Sequence, residues 1–359
     1  MRVAVLSFPM LFQTNGGLTM KVQRTVAALN RRGVEARLID PVRERLTDYD
    51  LVHLFAPYNG NQRIVEQAKA DGLPVVLSTI LSQPFTHWDG VRARFLSRAV
   101  GRLSNWYIKT SYQQTRNALE LADELVVLGS VERKILVEGY LTPEGKINVV
   151  HNGIGEEFFR GVPNAFLERW PMRQPFVLHT GMVGDVKNQL GLVRALKGVD
   201  IDIVLIGYAG KTAQQYLNAC LAEGGGRVHY LGELPHGELI ASAYAACAVV
   251  AIPSMYEGMP NSILEALASD RPTVLTNNHT MDFDLPAEVA RQVASDDHAA
   301  IRRAVTDFLK QPPAAGLARA VVAGMSWDAV AERLEAIYRR VADTSLVPTC
   351  NAQATIQTL

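Results

Sequence analysis

Residues 254–268 of the chain read SMYEGMPNSILEALA, and they place two glutamates, Glu257 and Glu265, on either side of a Gly, a Pro and an Asn. The apolar run before them, AVVAIPS from Ala248, predicts a buried strand, and the residues from Asn261 onward predict a helix. Glu257 then lies in the turn, while Asn261 and Glu265 share one face of the helix at a spacing of i,i+4. A strand, a turn and a helix in this order are typical of an α/β protein, in which ligands bind beyond the carboxyl ends of the strands.

The same alternation of apolar strands and helical patterns runs along the chain in two series, which the loop-like segment 161–175 separates. Continuous apolar strands between amphipathic helices predict a parallel sheet covered on both faces. We therefore predict an α/β fold of two doubly wound, Rossmann-like domains with a cleft between them. The predicted parts are an N-terminal domain (1–165), a C-terminal domain (175–325), a last helix packing back on the N-terminal domain (326–342) and a loose tail (343–359).

The composition is that of an ordinary globular protein and narrows the function classes. The 36 basic and 36 acidic residues cancel, so we expect no nucleic acid as a partner. The cysteines, Cys220, Cys247 and Cys350, lack ligand-like spacing, which argues against a zinc site or a disulfide framework. The first residues predict a strand rather than a signal peptide, and the most apolar stretch, from Ile240, is too short to span a bilayer. We expect a cytoplasmic protein.

The quoted stretch also points to a class of ligand. Free amide groups at the start of the helix favour an anion, and Gly258 lets the backbone approach it closely. Carboxylates such as Glu257 and Glu265 accept hydrogen bonds from vicinal hydroxyl groups, so one could bind a ribose and the other a sugar. A structural alternative exists for Glu265, because Ser262 and Glu265 fit a capping box. The glutamates and the helix start together indicate a nucleotide-sugar.

EGMPNSILEALA, followed by ASDRPTV, resembles the donor signature of the retaining glycosyltransferases of family 4, which have the two-domain GT-B fold. The resemblance covers most of the chain. It includes the Gly-Gly turn at Gly16 and Gly17, VVHNGI with Asn152 and Gly153, Lys187, and the closing Ser-Trp helix.

The resemblance implies a role for each matching residue. Glu257 and Lys187 would be catalytic, with Glu257 binding hydroxyls of the transferred sugar and Lys187 neutralising the leaving diphosphate. Glu265 would bind the ribose hydroxyls, and the segment from Tyr230, YLGELPHGEL, would hold the nucleobase. The other residues that the resemblance places at the donor are Gly16, Gly17, Gly181, Gly258, Met259, Pro260, Asn261 and Ser262.

The implied reaction is a retaining transfer that needs neither a cofactor nor a metal ion. The donor would be a UDP-sugar, with GDP-mannose as the next choice, and it would bind in the C-terminal domain. The acceptor would be a hydroxyl of a saccharide or of a lipid-linked saccharide on the N-terminal domain, in bacterial surface polysaccharide synthesis. Two alternatives stay open, a catalytically lapsed sugar-nucleotide-binding scaffold and a nucleotide-sugar epimerase of the same fold.

Three positions depart from the family pattern. Met182 stands where an Arg usually contacts the diphosphate, Ile80 stands where a His usually ends a strand, and 277–280 replace a Gly-Gly pair. They favour the scaffold alternative. His53, at a strand end, is either an acceptor contact or a structural histidine.

Two aspartate pairs resemble the metal-binding pairs of other glycosyltransferases. Short patterns of this kind are frequent by chance, so we expect no metal at either pair. The pairs are Asp200 with Asp202 and Asp282 with Asp284.

The segment 90–119 carries six basic residues and no acidic one. Arg94, Arg98 and Arg102 recur at i,i+4 beside an apolar stripe of Phe95, Ala99, Leu103 and Trp106. This pattern is typical of a helix on an anionic membrane, which would place the protein at the inner membrane face. The alternative is a helix whose apolar stripe faces the core and whose basic side faces water.

Overall fold

The computed structural model describes residues 1–13, 16–81, 85–105 and 107–345. Its strands form two six-stranded sheets with the orders β2-β1-β3-β4-β5-β6 and β12-β11-β10-β7-β8-β9, and every pairing is parallel. The predicted α/β fold with two doubly wound domains is confirmed. The strands are β1 (Arg2–Leu6), β2 (Glu35–Leu38), β3 (Leu51–Phe55), β4 (Val75–Ser78), β5 (Glu124–Val127), β6 (Ile147–Val149), β7 (Phe176–Thr180), β8 (Asp202–Ile206), β9 (Val228–Tyr230), β10 (Val249–Ile252), β11 (Thr273–Thr276) and β12 (Ala290–Val293).

Helices cover both faces of each sheet, as parallel sheets require. They are α1 (Gly17–Arg31), α2 (Gln62–Ala70), α3 (His87–Leu103), α4 (Ser111–Leu121), α5 (Ser130–Lys134), α6 (Glu156–Arg160), α7 (Asn164–Arg169), α8 (Gln189–Ala195), α9 (Gln214–Gly224), α10 (Glu238–Ala246), α11 (Asn261–Ala268), α12 (His298–Lys310), α13 (Leu317–Val321) and α14 (Trp327–Ser345).

The central strands are the ones that sequence identifies best. Every residue of β3, β7, β8 and β10 is buried, which matches their continuous apolar character. Strand β12 was not predicted, because it is a sheet edge whose middle residues, Arg291 and Gln292, are exposed. An edge strand needs no apolar run, since it has only one neighbour and little buried surface.

The chain crosses between the domains near residue 153. Ile154, Phe158 and Phe166 pack in the core of the C-terminal sheet. Residues 154–165, which the sequence analysis assigned to the N-terminal domain, therefore belong to the second core. Local patterns do not reveal this, since α6 and α7 are too short to show which sheet they cover.

The last helix, α14, returns to the N-terminal domain. Trp327, Val330 and Leu334 of α14 pack in the N-terminal core with Met20 of α1. Gly153 makes this return possible, because a Cβ atom there would lie 2.7 Å from the Cα atom of Trp327. The predicted tail lies outside the described residues from 346 onward.

Candidate active site

The turn after β10 and the turn after β1 meet at the cleft. A Cβ atom on Gly17, at the start of α1, would lie 3.7 Å from the Nδ2 atom of Asn261 at the start of α11. A side chain at Gly17 would therefore fill the space beside Asn261. The structure brings Gly17 of one domain against the predicted donor turn of the other, whereas a Cβ atom on the predicted site residue Gly16 would meet no atom within 4 Å.

Asn152 holds this turn in place by hydrogen bonds. Its buried side-chain amide donates to the Asn261 Oδ1 atom at 3.0 Å and to the Met259 carbonyl at 3.3 Å. Met259 is itself buried in the core, and this burial anchors the turn. The sequence analysis noticed Asn152 only as part of a family motif and assigned it no role.

Glu257 and Lys187 form an ion pair in the cleft. The Lys187 Nζ atom donates to the Glu257 Oε1 atom at 2.6 Å, and the Ser254 hydroxyl donates to the same oxygen at 2.6 Å. Glu257 is buried, while about a quarter of the Lys187 side chain (28%) is exposed. The lysine ammonium is thus held at the cleft surface by a carboxylate beneath it. Sequence reasoning named both charged residues but not Ser254.

The loop that carries Lys187 is clamped at several points. Asn188 adopts a left-handed conformation (φ 56°) and donates to the carbonyls of Pro253 at 2.9 Å and Ser295 at 2.7 Å. The buried His179 ring lies 3.1 Å from the Lys187 carbonyl, and burial lowers its pKa to about 4. Asn adopts this backbone conformation more readily than most residues. The Asn that follows Lys187 was therefore the sequence signal for this turn.

Gly181 lies under the Lys187 side chain, with its own φ at 147°. A Cβ atom on Gly181 would lie 3.8 Å from the Lys187 Cδ atom. This backbone conformation favours glycine, so the predicted site residue is explained by local geometry.

Glu265 is buried on α11 and does not form the capping box. The helix begins after Pro260, and no side chain caps its first amides. Those amides stay available to a ligand, as expected for an anion site. Burial raises the pKa of the Glu265 carboxyl to about 7, against the opposing effect of the Tyr244 hydroxyl. The structural alternative that Ser262 suggested is wrong.

The predicted nucleobase segment lies beside Glu265. His236, in the loop after β9, places its Nδ1 atom 3.9 Å from the Glu265 Oε1 atom. A cross-domain ion pair lies close by, in which Arg24 of α1 donates to Glu157 of α6 at 2.5 Å. Both members of this pair influence the pKa of Glu265. The predicted ribose end of the site therefore lies at the junction of the two domains.

On the N-terminal wall of the cleft, the buried polar side chains form hydrogen bonds within the protein. His53 is fully buried between the Tyr338 hydroxyl at 2.5 Å and the Ser78 hydroxyl at 2.9 Å. Burial, with a contribution from Lys21, lowers the pKa of His53 to about 3, so the ring is neutral. Of the two interpretations of His53, the structural one is correct.

Glu132 is a further buried carboxylate, which the sequence analysis missed. It accepts hydrogen bonds from the Thr79 hydroxyl at 2.6 Å, the Leu81 amide at 2.6 Å and the Leu128 amide at 2.7 Å. These bonds hold Ile80 in a left-handed conformation (φ 49°), which is rare for a β-branched residue. Such conformations persist where the surroundings impose them, and they cluster at functional sites.

At least one aspartate of each pair has a structural partner. Asp200 pairs with Arg173 at 2.5 Å, at the amino edge of the sheet. Asp282 accepts from the Ser130 amide at 2.6 Å and lies 3.0 Å from His151, so it joins the two domains. Within the described ranges, no group of three or more His, Cys, Asp or Glu residues is arranged to hold a metal ion.

Helix α3 contradicts one prediction about the segment 90–119. Phe95 and Leu103 are exposed, so the alternative of an apolar stripe facing the core is wrong. Trp106, the last member of that stripe, lies outside the described residues. Among the helices that the structure describes, none is long and apolar enough to cross a bilayer.

Comparison with known proteins gives a family for one domain and a fold for the whole chain. Residues 174–311 match the family model of the glycosyl transferases group 1, whereas the curated proteins contain no match. Sucrose-phosphate synthase from Thermosynechococcus elongatus superposes with a TM-score of 0.76 at 18% identity, over 96% of this chain and 100% of that one.

Two further structures share the fold. HepE from Anabaena, in complex with UDP and glucose, gives a TM-score of 0.69 at 14% identity, over 95% of this chain and 100% of that one. A UDP-forming trehalose-phosphate synthase from Burkholderia xenovorans gives 0.65 at 13%, over 95% and 99% of the two chains. The chain therefore has the GT-B fold, and residues 174–311 form a glycosyl transferases group 1 domain within it.

Proposed function

We propose that the protein is a retaining, metal-independent glycosyltransferase of family 4 type that transfers a sugar from a UDP-sugar to a hydroxyl of a saccharide or glycolipid. The observation that carries this proposal is the ion pair of Lys187 and Glu257 beside the uncapped start of α11. One site thus combines a cation, free backbone amides and two carboxylates. These are the groups that a diphosphate, a sugar and a ribose need.

The chemistry follows from where charge develops. Breaking the glycosyl–phosphate bond leaves negative charge on the diphosphate, and fixed donors at that position lower the barrier. Lys187 and the first amides of α11 are such donors, and they supply positive charge without a metal ion. Glu257 contributes by holding Lys187, and its second carboxylate oxygen can accept from a hydroxyl of the transferred sugar. The incoming acceptor hydroxyl attacks on the face that the phosphate leaves.

The nucleotide is assigned to uridine on two grounds. HepE was solved in complex with UDP, and the trehalose-phosphate synthase is UDP-forming. His236 lies beside Glu265 at the junction of the domains, where the ribose and base would lie. GDP-mannose is the next choice. Surface polysaccharide synthesis is the setting in which such a transfer to a saccharide acceptor is expected.

Met182 favours one competing function, a sugar-nucleotide-binding scaffold without turnover. Its side chain is 60% exposed at the cleft, where an arginine would add a second positive charge for the diphosphate. Lys187 has its own carboxylate partner, so the net positive charge at this point is small. A scaffold would bind the donor and never release free nucleotide from it.

Thermal stabilisation by UDP, GDP, ADP and CDP tests the donor site first. A nucleotide at 100 times its dissociation constant stabilises the folded protein by about 2.7 kcal/mol. We expect UDP to stabilise the parent, and Glu265→Ala to weaken UDP binding by about 1–3 kcal/mol through lost hydrogen bonds. Glu168→Ala, at an exposed position of helix α7, is the control. Stabilisation by none of the four nucleotides would overturn the proposal.

Turnover of a labelled UDP-sugar separates the remaining functions. A transferase releases UDP faster when a saccharide acceptor is present. An epimerase converts the donor without an acceptor, and a scaffold leaves it intact. Either of these two results would contradict the proposed reaction while leaving the donor site in place.

A further inference from the structure

Helix α3 presents its small side chains to the protein. Gly90, Ser97 and Gly101 are its buried residues. A Cβ atom on Gly90 would lie 2.5 Å from the carbonyl oxygen of Gly139, so only glycine permits this approach. The helix is also firmly started, because Thr86 and Asp89 form a reciprocal capping box. Its orientation is therefore set by close backbone packing on its small-residue face.

The opposite face of α3 carries large apolar side chains that the rest of the fold leaves exposed. With 3.6 residues per turn, positions 88, 95, 99 and 103 lie on the side opposite to positions 90, 97 and 101. The patch continues past the end of the helix. The exposed fractions are 70% for Trp88, 77% for Phe95, 59% for Leu96, 90% for Leu103, 90% for Tyr107 and 61% for Ile108.

A contiguous apolar patch of this kind marks an interaction site, since isolated proteins keep such surfaces small. Helix α3, which carries the patch, is also additional to what the fold requires. The connection from β4 to β5 needs one covering helix, and α4, which packs against α2, supplies it. Helix α3 lies outside this minimal unit and contacts α4 and the segment 135–139.

The basic residues of the segment 90–119 divide into two groups. Arg94 donates to the Gly139 carbonyl at 3.0 Å, Lys109 pairs with Glu66 at 3.4 Å and Arg116 pairs with Glu120 at 2.7 Å. These three residues serve the fold. The other group consists of Arg92, Arg98 and Arg102, which are exposed on α3 beside the apolar patch.

No carboxylate of the described ranges forms an ion pair with Arg98 or Arg102. Unpaired guanidinium groups next to exposed aromatic and aliphatic side chains match an anionic lipid surface, which offers phosphates above and acyl chains below.

We propose that this membrane-docking face, formed by α3 and residues 107–108, binds the anionic surface of a lipid bilayer. A second copy of the chain fits the face less well. A twofold contact would bring the same arginines of both copies together, and like charges would oppose it. Lipid headgroups supply the opposite charge, and the apolar side chains enter the boundary between headgroups and acyl chains.

Docking also has a consequence for the acceptor. Helix α3 follows β4, whose carboxyl end lies at the cleft, so a docked α3 places the N-terminal wall beside the bilayer. Resting on the proposed transferase function, this arrangement favours an acceptor that is anchored in the membrane. The docking itself does not depend on the reaction and can be tested without it.

Co-sedimentation with vesicles tests the docking. We expect the full chain to bind vesicles of phosphatidylcholine with phosphatidylglycerol and to bind pure phosphatidylcholine weakly. Phe95→Ser combined with Leu103→Ser should reduce binding to the anionic vesicles by roughly tenfold or more. Arg98→Gln combined with Arg102→Gln should reduce it by roughly tenfold, and the parent should lose a similar part in high salt.

Matched variants separate docking from general surface effects. Val42→Ser removes an apolar side chain of equal exposure (90%), and Arg303→Gln removes an exposed arginine of α12. Both should bind vesicles like the parent. The α3 variants should keep the parent's melting temperature and UDP affinity, since they change exposed side chains far from Glu265. A failed UDP assay therefore leaves the docking test intact.

Several results would overturn the proposal. One is equal co-sedimentation of the parent and the Phe95→Ser/Leu103→Ser variant. Another is equal binding to neutral and anionic vesicles. A third is a stable dimer of the parent, measured by light scattering, that the same double variant dissociates, because a second copy would then occupy the face.

Discussion

The two walls of the cleft use buried charge in opposite ways. On the C-terminal wall, Glu257 holds Lys187 at the surface of the cleft, and Glu265 is buried on α11, whose first amides no side chain caps. On the N-terminal wall, Glu132 and His53 form hydrogen bonds within their own domain. The first wall offers its polar groups to a ligand, whereas the second uses them to hold loops and α14 in place. Substitutions on the two walls should therefore have different effects.

Lys187→Ala should show the largest effect and should act on turnover. It removes the cation that we propose lies at the leaving diphosphate, and the loss of one such preorganised donor lowers kcat by about 100- to 1,000-fold. The measurement is the initial rate of UDP release with an acceptor. Lys197→Ala is the control, since Lys197 pairs with Glu223 on the surface at 2.7 Å. A rate for Lys187→Ala close to that of Lys197→Ala would mean that Lys187 takes no part in the reaction.

Glu265 should make UDP binding depend on pH. Its pKa is raised to about 7, and the ionised carboxylate accepts ribose hydroxyls better than the protonated form. UDP affinity should therefore rise about tenfold between about pH 6 and about pH 8. Isothermal titration calorimetry measures this change, and Glu265→Gln should abolish it. The same pH dependence in Glu265→Gln would assign the titration to another group.

The same group predicts the sign of a stability change in the empty protein. The ordinary pKa of 4.5 applies to the unfolded chain, and the folded value is higher, so the folded state binds the extra proton. The contribution of Glu265 to the free energy of unfolding should fall as the pH rises from 4.5 to about 7. Denaturation of the parent and of Glu265→Gln should diverge over this range. Parallel curves would show that the buried carboxyl keeps its ordinary pKa.

His53→Leu should sharpen the contrast between the walls, because it should lower stability and leave the donor site unchanged. The leucine removes both hydrogen bonds and leaves the Tyr338 and Ser78 hydroxyls without this partner, at a cost of about 1–3 kcal/mol. Urea denaturation measures the loss, and calorimetry measures UDP affinity. Weaker UDP binding by His53→Leu would mean that the N-terminal wall contacts the donor after all.

Met182→Arg should have the smallest effect and should improve binding. The new guanidinium would stand near the diphosphate, but position 182 is 60% exposed, so solvent screens the charge. We expect the dissociation constant of UDP to fall roughly two- to fivefold. Met182→Gln, of similar length and without charge, is the control. Equal affinities of the two variants would place position 182 outside the diphosphate site.

Several features of this protein follow from the sequence alone. The buried strands are continuous apolar runs, so their order of α/β units is visible locally, and the parallel sheets follow from it. Glu257 and Glu265 are recognisable because a strand, a turn and a helix start in fixed order are a local pattern, whereas Lys187 was found only through the family resemblance. Strand β12 escaped prediction because an exposed edge carries no such pattern.

Other features depend on contacts between distant parts of the chain. Asn188 is an ordinary polar residue until folding brings it to the carbonyls of Pro253 and Ser295. Whether His53 faces a ligand or Tyr338 depends on where α14 returns, 285 residues later in the chain. The apolar stripe of α3 has the same period whether it faces the core or water. Only the close packing of Gly90 on Gly139 decides that it faces outward, because periodicity defines a face and tertiary contact chooses its direction.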